Sequence, residues 1–357
     1  MWKLITRKIF YLLILIFLDS CCRNDGGDLF VINASVNDDA HNLSEIAQDV
    51  VAIPLETNEN CLISYINRVI STKEHFFVLS DCIYMFNRQG EFERKIGSLG
   101  RGPEEYTGIS TFAVDEISER IIVASRNKLL CFGFNGDFIF SVPVNKFVEY
   151  IDIVGEEVLL ISSKMGVPVD DGTFANTTWL YRLNSELTVL DSIMVKQIIL
   201  PSIIGSIFPG SRIITTLNKK QYLFYHVLYE EPIVRDTLYI VESDKLTPSI
   251  KIDFAEASRN GEDFIMINMY RTDRYVFADY KFEEMYLFCY DLLNDQQYNV
   301  IDGFNDDFLN TGTAKLQLLD ADDGTMYFIK QSNEVSGIFE GVDDFDNPVI
   351  ILVQLYE

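Results

Sequence analysis

Residues 81–97 read "DCIYMFNRQGEFERKIG", and residues 127–143 read "NKLLCFGFNGDFIFSVP". Both stretches contain an apolar run, a turn closed by glycine, an acidic residue, an aromatic residue and an outgoing strand. Gly90 and Gly136 hold the same place in this pattern and are 46 residues apart. Turn residues between two strand-forming runs predict a β-hairpin, so the chain repeats one hairpin at a fixed distance.

Weaker copies of the hairpin follow at "WLYRLNSELTVLDSI" (179–193), "TLYIVESDKLTPSIKI" (237–252) and "YLFCYDLLNDQQYNVI" (286–301). Their turns fall at Ser185, Asp244 and Asn294, which are residue types that tolerate tight turns. An earlier strand pair accompanies the hairpins, as in "INRVIST" and "HFFVLSD" before the first copy. Four short strands in each unit of about 45 to 50 residues are the period of a β-propeller blade.

The two ends of the chain supply the remaining strands. A sixth unit fits "AKLQLLDADDGTMYFIK" (314–330) and "NPVIILVQLYE" (347–357), and the early strand "DVVAIPLE" (49–56) has no blade of its own. We expect this strand to complete the last sheet, because closure protects edges that would otherwise be unpaired. The prediction is an all-β, six-bladed β-propeller of four-stranded antiparallel blades, closed by its N- and C-terminal strands. Seven blades and a two-sheet sandwich are the alternatives, although a sandwich need not repeat internally.

The N-terminus has the pattern of an export signal. Basic residues precede ten apolar residues at 9–18, which is too short for a membrane span of about 20 residues. Ser20 then precedes Cys21 in "LDSC", a stretch similar to a bacterial lipobox, so we predict that Cys21 is lipidated. The alternative is a plain secretory signal. The predicted organisation is a signal peptide at 1–20, a lipidated cysteine and tether at 21–44, and the propeller at 45–357.

Charge and cysteine content exclude some classes of partner. The chain has 54 acidic and 29 basic residues, a net charge of −25, which argues against binding to nucleic acid or to an anionic membrane surface. Membrane contact is therefore expected only through the lipid anchor. Beyond Cys21 and the adjacent Cys22, four cysteines, Cys61, Cys82, Cys131 and Cys289, match no metal-binding spacing. We interpret them as unpaired buried thiols, with a Cys61–Cys82 disulfide as the alternative.

Several stretches carry a resemblance to a known group. They are "IPLETNENCLI" (53–63), "VLSDCIYMFNRQGEFERKIGSLGRGPEEYTGISTFAVD" (78–115), "DTLYIVESDKLTPSIKIDFAEAS" (236–258) and "DFDNPVIILVQL" (344–355). Together they resemble the six-bladed β-propeller lipoproteins of Bacteroides-type bacteria, which are distant relatives of NHL-repeat propellers. The resemblance implies an outer-membrane lipoprotein, at the cell surface or on the periplasmic face. It implies a role in glycan or peptide handling and supplies no catalytic residues.

The most specific part of the resemblance is "IGSLGRGPEEY" (96–106), where the group usually has G-x-G-P-G-E-Y. Glu104 replaces the glycine after Pro103, and this change favours a type I turn, because the corresponding position of a type II turn needs positive φ. The stretch lacks the lysine and hydroxyl residue of a phosphate-binding loop. We therefore interpret it as a crossing between two blades.

This crossing provides the candidate ligand-binding residues Arg101, Glu104, Glu105 and Tyr106, at the expected mouth of the channel. The alternative for Glu105 and Tyr106 is that they brace neighbouring blades. Acidic pairs occur at 170–171, 306–307, 322–323 and 343–344. None has the spacing of a calcium loop, so solvated turns are the favoured interpretation, and calcium held by loops of different blades is left open.

No catalytic motif stands out. The chain has no G-x-S-x-G elbow and only three histidines. We predict a non-catalytic binding module without a cofactor, whose ligand is an extracellular glycan, a peptide or an envelope protein. The alternative is a carboxylate- or cation-dependent hydrolase or lyase that acts at the channel mouth. The sequence does not select a catalytic pair from its many carboxylates.

Overall fold

The computed structural model describes residues 29–36, 39–169, 172–201, 212–226, 236–254 and 264–357. Over this part of the chain, β-strands form six main sheets that surround a central channel. This arrangement confirms the prediction of an all-β, six-bladed propeller. No helix within the described ranges is long and apolar enough to cross a membrane. The predicted signal peptide and Cys21 lie outside the described residues.

The chain begins with two strands that belong to blades completed much later. Strands β1 (Phe30–Asn33) and β2 (Ala47–Pro54) are separated by a short 3-10 helix (Leu43–Glu45). Blades 1, 2 and 3 are then built from consecutive antiparallel strands, ordered from the channel outwards. Blade 1 contains β3 (Arg68–Ser71), β4 (His75–Leu79), β5 (Ile83–Asn87) and β6 (Phe92–Ile96). Blade 2 contains β7 (Thr111–Asp115), β8 (Arg120–Ser125), β9 (Lys128–Gly133) and β10 (Phe138–Pro143). Blade 3 contains β11 (Phe147–Val154), β12 (Glu157–Pro168), β13 (Phe174–Leu183) and β14 (Val189–Leu200).

Blades 4 and 5 continue the same plan, and blade 6 combines both ends of the chain. Blade 4 contains β15 (Ile214–Leu217), β16 (Lys220–Leu223), β17 (Thr237–Val241) and β18 (Leu246–Asp253). Blade 5 contains β19 (Ile265–Arg271), β20 (Tyr275–Phe282), β21 (Glu284–Asp291) and β22 (Gln296–Ile301). A small hairpin, β23 (Phe304–Asp306) and β24 (Gly312–Ala314), leads to blade 6. Blade 6 contains β25 (Gln317–Asp320), β26 (Thr325–Lys330), β27 (Val349–Leu355) and, outermost, β2. The helix Ser332–Val335 lies between β26 and β27.

The ring closes as the sequence predicts. Strand β2 pairs antiparallel with β27, so that Val50 lies opposite Val353. The five predicted hairpins are the third and fourth strands of blades 1 to 5. Their turns use the expected conformations: Gly90 and Gly136 have φ of +85° and +86°. At Gly90 a Cβ would also lie 2.2 Å from the Pro54 carbonyl oxygen, so glycine is required there for two reasons.

The folded domain starts earlier than residue 45. Strand β1 lies within the predicted tether, yet it pairs in parallel with β18 and makes blade 4 five-stranded. Ile32 is only 2% exposed, and burial of this side chain explains why the segment is held on the sheet. Residues 30–36 and 39–46, here called the N-terminal strap, therefore lead from blade 4 past blade 5 to blade 6.

Contacts along the strap hold it against blade 5 and against the loop between β23 and β24. Gln297 Nε2 donates a hydrogen bond to the Asn33 carbonyl oxygen at 2.7 Å. Further along the strap, Ser44 Oγ donates to Asp307 Oδ2 at 2.6 Å. The strap thus covers part of the perimeter of the ring, and it delivers β2 to blade 6.

The four cysteines of the domain are buried in the core, and the structure gives all four as free thiols. Cys61 and Cys82 lie in the core of blade 1 and its neighbours. Burial raises the pKa of both thiols, to about 12 at Cys61. The interpretation of these residues as unpaired core side chains is therefore confirmed.

Candidate functional site

The crossing between blades 1 and 2 occupies residues 97–110, between β6 and β7, so the interpretation of this stretch as a joint is confirmed. The Gly100 amide donates to the Tyr106 carbonyl oxygen at 3.0 Å. The Glu105 amide donates to the Gly102 carbonyl oxygen at 3.3 Å, closing a turn around Pro103 and Glu104. Glu104 does not have positive φ, which excludes a type II turn and agrees with the predicted type I turn.

The four residues predicted for ligand binding at this crossing have different environments. Tyr106 is fully buried, and its hydroxyl donates to the Ile96 carbonyl oxygen at 3.1 Å. The half-buried Glu105 carboxylate accepts a hydrogen bond from the Gly102 amide at 2.7 Å. Arg101 and Glu104 are exposed. Glu105 and Tyr106 therefore stabilise the crossing itself, while Arg101 lies beside a shallow open depression next to Arg126.

A deeper cavity lies at the centre of the ring, and its volume is about 490 Å³. It opens at the end where the inner strands begin. Because the strands of a blade alternate in direction, the crossings and the turns between second and third strands lie at this same end. The wall combines residues of blades 1, 5 and 6 with one residue that precedes blade 4. Its polar side chains include Arg68, Arg212, Asp279, Lys281, Lys315 and Gln317.

Positive charge dominates the cavity. Four cationic side chains line it: Arg68, Arg212, Lys281 and Lys315. Within the described ranges, none of them forms an ion pair within 4.0 Å of a carboxylate. Asp279 is the single acidic residue among the described lining residues. In a chain with a net charge of −25, this cavity forms a local region of opposite sign.

Arg68 is held in a fixed position by partners from two other blades. Its Nη1 donates to Thr111 Oγ1 at 3.1 Å and to the Phe112 carbonyl oxygen at 3.3 Å. Its Nη2 donates to the Tyr150 hydroxyl at 3.3 Å. The Tyr150 hydroxyl in turn donates to the Ile214 carbonyl oxygen at 3.1 Å. These bonds connect blades 1 to 4 and orient the guanidinium before any ligand arrives.

Two further contacts close the ring on the side of blade 6. Arg212 donates from Nη2 to the Leu319 carbonyl oxygen at 3.4 Å, which links the start of blade 4 to blade 6. The Tyr327 hydroxyl donates to Gln317 Oε1 at 2.7 Å and accepts from the Val69 amide at 3.2 Å. The cavity wall is therefore a set of side chains braced between blades, as expected of a preformed binding site.

The carboxyl group of Asp279 is the titrating group of the wall. Burial raises the pKa of Asp279 to about 6, although the Asn268 hydrogen bond and the Lys315 charge act in the opposite direction. Asn268 Nδ2 donates to Asp279 Oδ2 at 3.2 Å. Burial also raises the pKa of Asp152, against the charges of Arg212 and Arg68. A paired-carboxylate mechanism requires two acids that face one pocket, and the described lining contributes Asp279.

The interpretation of the acidic pairs as solvated turns is wrong for Asp306, which is buried. Asp306 is 1% exposed, and its carboxylate accepts hydrogen bonds from the amides of Phe308 and Thr311 between β23 and β24. Asp322 accepts a hydrogen bond from the Asn218 amide at 2.6 Å. Across the described residues, no group of three or more His, Cys, Asp or Glu side chains is arranged to hold a metal ion. The pair at 170–171 lies outside the described residues.

The sequence analysis missed the cationic residues of the cavity. They are separated by long stretches of chain, and no local motif contains more than two of them. A signal was nevertheless present, because a long cation, Arg68, begins the short first strand of blade 1. The charged end of a long cationic side chain in an inner strand can reach solvent only through the channel, because both faces of the blade pack against neighbouring blades.

Comparison with known proteins agrees with the fold. Residues 29–354 match the family model described as "Domain of unknown function (DUF4934)". A Bacteroides fragilis protein, described as exported, has a similar structure with a TM-score of 0.65 and 16% identity; the match covers 92% of this chain and 100% of that chain. At this identity, the likeness shows the fold. No curated protein matches the chain.

Two other solved structures have more distant similarity. A member of the DUF4221 family from Bacteroides vulgatus has a TM-score of 0.44 and 11% identity, covering 87% of this chain and 97% of that chain. The WD40 domain of Neurospora crassa Pan2 also has a TM-score of 0.44 and 11% identity, covering 82% and 77%. Both likenesses are too distant to carry an argument.

Proposed function

The chain belongs to the family of domains of unknown function DUF4934, and from this premise we propose a function based on its own geometry: an envelope-anchored binding protein that holds its ligand in the central cavity. The observation that carries this proposal is the braced, cation-lined cavity at the centre of the ring. A volume of about 490 Å³ falls in the range of small-molecule sites. Ligand groups would meet side chains that several blades already hold in place, which lowers the entropy cost of binding.

The ligand classes are those predicted from the sequence: an extracellular glycan, a peptide or a segment of an envelope protein. The full-length protein, purified in detergent, is applied to glycan and peptide arrays. The Asn67 side chain is exposed at the cavity wall. The backbone N–H of this residue donates a hydrogen bond to the Leu79 carbonyl oxygen, and substitution of the side chain leaves that bond in place. We expect Asn67→Trp to fill the opening and to weaken binding by about tenfold or more.

The matched control is Arg101→Ala, at the depression beside the crossing. Binding that survives this change and is lost in Asn67→Trp supports the central cavity. The opposite pattern places the ligand at the crossing, with Arg101 as its contact, and contradicts the proposal. Loss in both variants is interpreted only after thermal unfolding has shown that both are folded.

The proposed location is the outer membrane, at the cell surface or on the periplasmic face. Two observations support it: the lipobox-like stretch that ends at Cys21, and the description of the Bacteroides fragilis structure as an exported protein.

Metabolic labelling with a fatty-acid analogue tests the anchor. We expect Cys21→Ala to lose the label and to leave the membrane fraction, and Cys22→Ala to keep both. Retention of label in Cys21→Ala contradicts the assignment of the anchor. Protease treatment of intact cells distinguishes the two faces.

A further inference from the structure

The cations of the cavity differ from three arginines elsewhere in the described fold, which are paired with carboxylates. Arg120, Arg182 and Arg274 each lie within 4.0 Å of a carboxylate. With 54 acidic residues against 29 basic residues, carboxylate partners are abundant in this chain. The four cavity cations nevertheless have no such partner in the described part. Asp152 and Asp279 offset part of this charge from a greater distance. The remaining positive charge is available to a ligand, and the surrounding low-dielectric walls concentrate it.

The four cations form two levels. Arg68 and Arg212 are half-buried and hydrogen-bonded to other blades, so they are fixed parts of the wall. Lys281 and Lys315 are exposed at its edge, and neither ammonium group donates a hydrogen bond to any of the described residues. Cross-blade bracing explains why the two arginines are present. It does not explain the two lysines, which add charge where a ligand would enter.

Uncharged polar groups on the same wall set a second requirement for the chemistry of the ligand. Asn67 and Gln317 present side-chain amides to the cavity, and amides both donate and accept hydrogen bonds. Asp279 adds a carboxyl group, which accepts hydrogen bonds whether it is ionised or protonated. A ligand that satisfies the whole wall needs an anionic group for the cations, together with hydroxyl groups that donate to the acceptors.

We propose that the cavity recognises a sugar acid, with its carboxylate directed towards the arginines and lysines and its hydroxyl groups towards the amides and Asp279. This inference rests on the proposed binding function and specifies its ligand class. A carboxylate that accepts charge-assisted hydrogen bonds from arginine and lysine forms stronger contacts than a neutral hydroxyl does. The neutral sugar of the same shape leaves the cations without a partner, and it therefore binds more weakly.

Calorimetric titration of the full-length protein in detergent tests the proposal with three probes: trigalacturonate, the neutral galactose trisaccharide and triglutamate. We expect trigalacturonate to bind at least about tenfold more tightly than the neutral trisaccharide. Its affinity should fall as salt is raised, because the attraction is partly long-range. Triglutamate carries carboxylates without sugar hydroxyls, and we expect it to bind more weakly than trigalacturonate.

The double variant Lys281→Ala/Lys315→Ala tests the role of the edge lysines. Both side chains are exposed, so the fold should be retained, and we expect the affinity for trigalacturonate to fall by about tenfold. The matched control is Lys73→Ala/Lys245→Ala, which removes the same charge from turns at the opposite end of the blades. We expect its affinity to remain within about twofold of wild type.

Each other outcome overturns a defined part of the reasoning. Equal binding of the acidic and neutral trisaccharides, with loss in Asn67→Trp, retains the cavity as the binding site and overturns selection of an anion. Preferred binding of triglutamate overturns the sugar assignment. An equal loss in both lysine double variants overturns the role of the edge lysines. Absence of binding by all three probes overturns the sugar-acid proposal, whereas the array result for Asn67→Trp decides the proposed function separately.

Discussion

The guanidinium of Arg68 lies 4.7 Å from the ring centroid of Tyr150, although the two residues belong to blades that are not neighbours. Arg68 is in the inner strand of blade 1, and Tyr150 is in the inner strand of blade 3. The Tyr150 hydroxyl accepts from Arg68 and donates to the Ile214 carbonyl oxygen of blade 4. One phenol therefore connects the arginine of the cavity to the far side of the channel.

The first prediction concerns Tyr150→Phe. The variant keeps the aromatic ring and removes the hydroxyl, so a buried carbonyl oxygen and one arginine N–H lose their partner. We expect the free energy of unfolding to fall by about 1 to 3 kcal/mol, measured by denaturant unfolding. Tyr65→Phe, at a residue that is 48% exposed, is the control and should stay within about 0.5 kcal/mol of wild type. An unchanged Tyr150→Phe would show that Arg68 does not depend on this contact.

The second prediction concerns the crossing between blades 1 and 2. A Cβ at residue 100 would lie 1.9 Å from Glu105 Oε2, so Gly100→Ala must displace the carboxylate from the Gly102 amide. We expect a loss of about 1.5 to 3 kcal/mol in the free energy of unfolding, the usual effect of breaking a hydrogen bond to a charged group. Gly337→Ala, where a Cβ meets no atom within 4 Å, is the control.

A double-mutant cycle separates the displacement of Glu105 from any other effect of replacing Gly100. If displacement of Glu105 is the cause, Gly100→Ala should lower the free energy of unfolding only slightly in a Glu105→Ala background, because the hydrogen bond is already absent. Additive losses in the double variant would contradict this mechanism. They would indicate backbone strain at residue 100 instead.

The third prediction is a pH dependence of stability at Asp291. This carboxylate is 1% exposed, and its Oδ2 lies 2.7 Å from Arg274 Nη2. Burial acts to raise the pKa of Asp291, but the hydrogen bonds from Arg274, Leu293 and Asn294 lower it overall. Because the folded pKa is below the unfolded value of about 3.9, the ionised group stabilises the fold above that pH. The contribution is lost as pH falls through the folded pKa.

Asp291→Asn tests this sign. We expect the variant to be less stable than wild type by about 3 kcal/mol at neutral pH, because Arg274 loses its buried partner. The difference should shrink as the pH falls below about 4. Thermal unfolding at several pH values measures both effects, with the exposed Asp244→Asn as control. A constant difference across the pH range would contradict the linkage.

The fourth prediction is a pH dependence of ligand binding through Asp279. Since the pKa of Asp279 is about 6, acidification from about pH 7.5 to about pH 5 neutralises it, while a sugar carboxylate with an ordinary pKa below about 4 remains ionised. Asp152 interacts with Arg212 and Arg68, and its protonation would act in the same direction. We expect the affinity for trigalacturonate to rise several-fold at the lower pH.

The control for this prediction is Asp279→Asn, which keeps the side chain at position 279 uncharged at every pH. The variant should bind trigalacturonate more tightly than wild type at about pH 7.5, and its affinity should change less with pH. Calorimetry at matched ionic strength measures both. Weaker binding on acidification in wild type would contradict the role of Asp279.

The fold could be predicted from the sequence because its signals are local. Gly90 and Gly136 mark the same hairpin turn in two blades, and strand periodicity supplies the rest of each sheet. Closure by β2 was also predictable, since one strand remained without a blade. Strand β1 was missed because four residues of apolar character beside a predicted tether do not stand out, and its pairing with β18 depends on a sheet formed more than 200 residues later.

The cavity could not be predicted in the same way. Arg68, Arg212 and Lys315 come together only because the ring brings the starts of several inner strands to one end. Arg101 was the more conspicuous candidate, because glycines and proline surround it in one short stretch. The crossing turned out to use its most recognisable residues, Glu105 and Tyr106, for its own hydrogen bonds. A motif that marks the architecture is thus not the same as a motif that marks the site.

The seam formed by β2 and β27 imposes an order in time on the folding of the chain. Strand β2 is synthesised before any complete blade, yet its partner is β27, about 300 residues later. Blades 1 to 3 pair neighbouring strands and can form from local contacts, whereas the seam must wait for the most distant pairing in the molecule. Until β27 has been made, β2 and β26 expose unpaired edges that can join other chains. Blade 6 is therefore the stage at which delayed synthesis or export would leave the protein most exposed to aggregation.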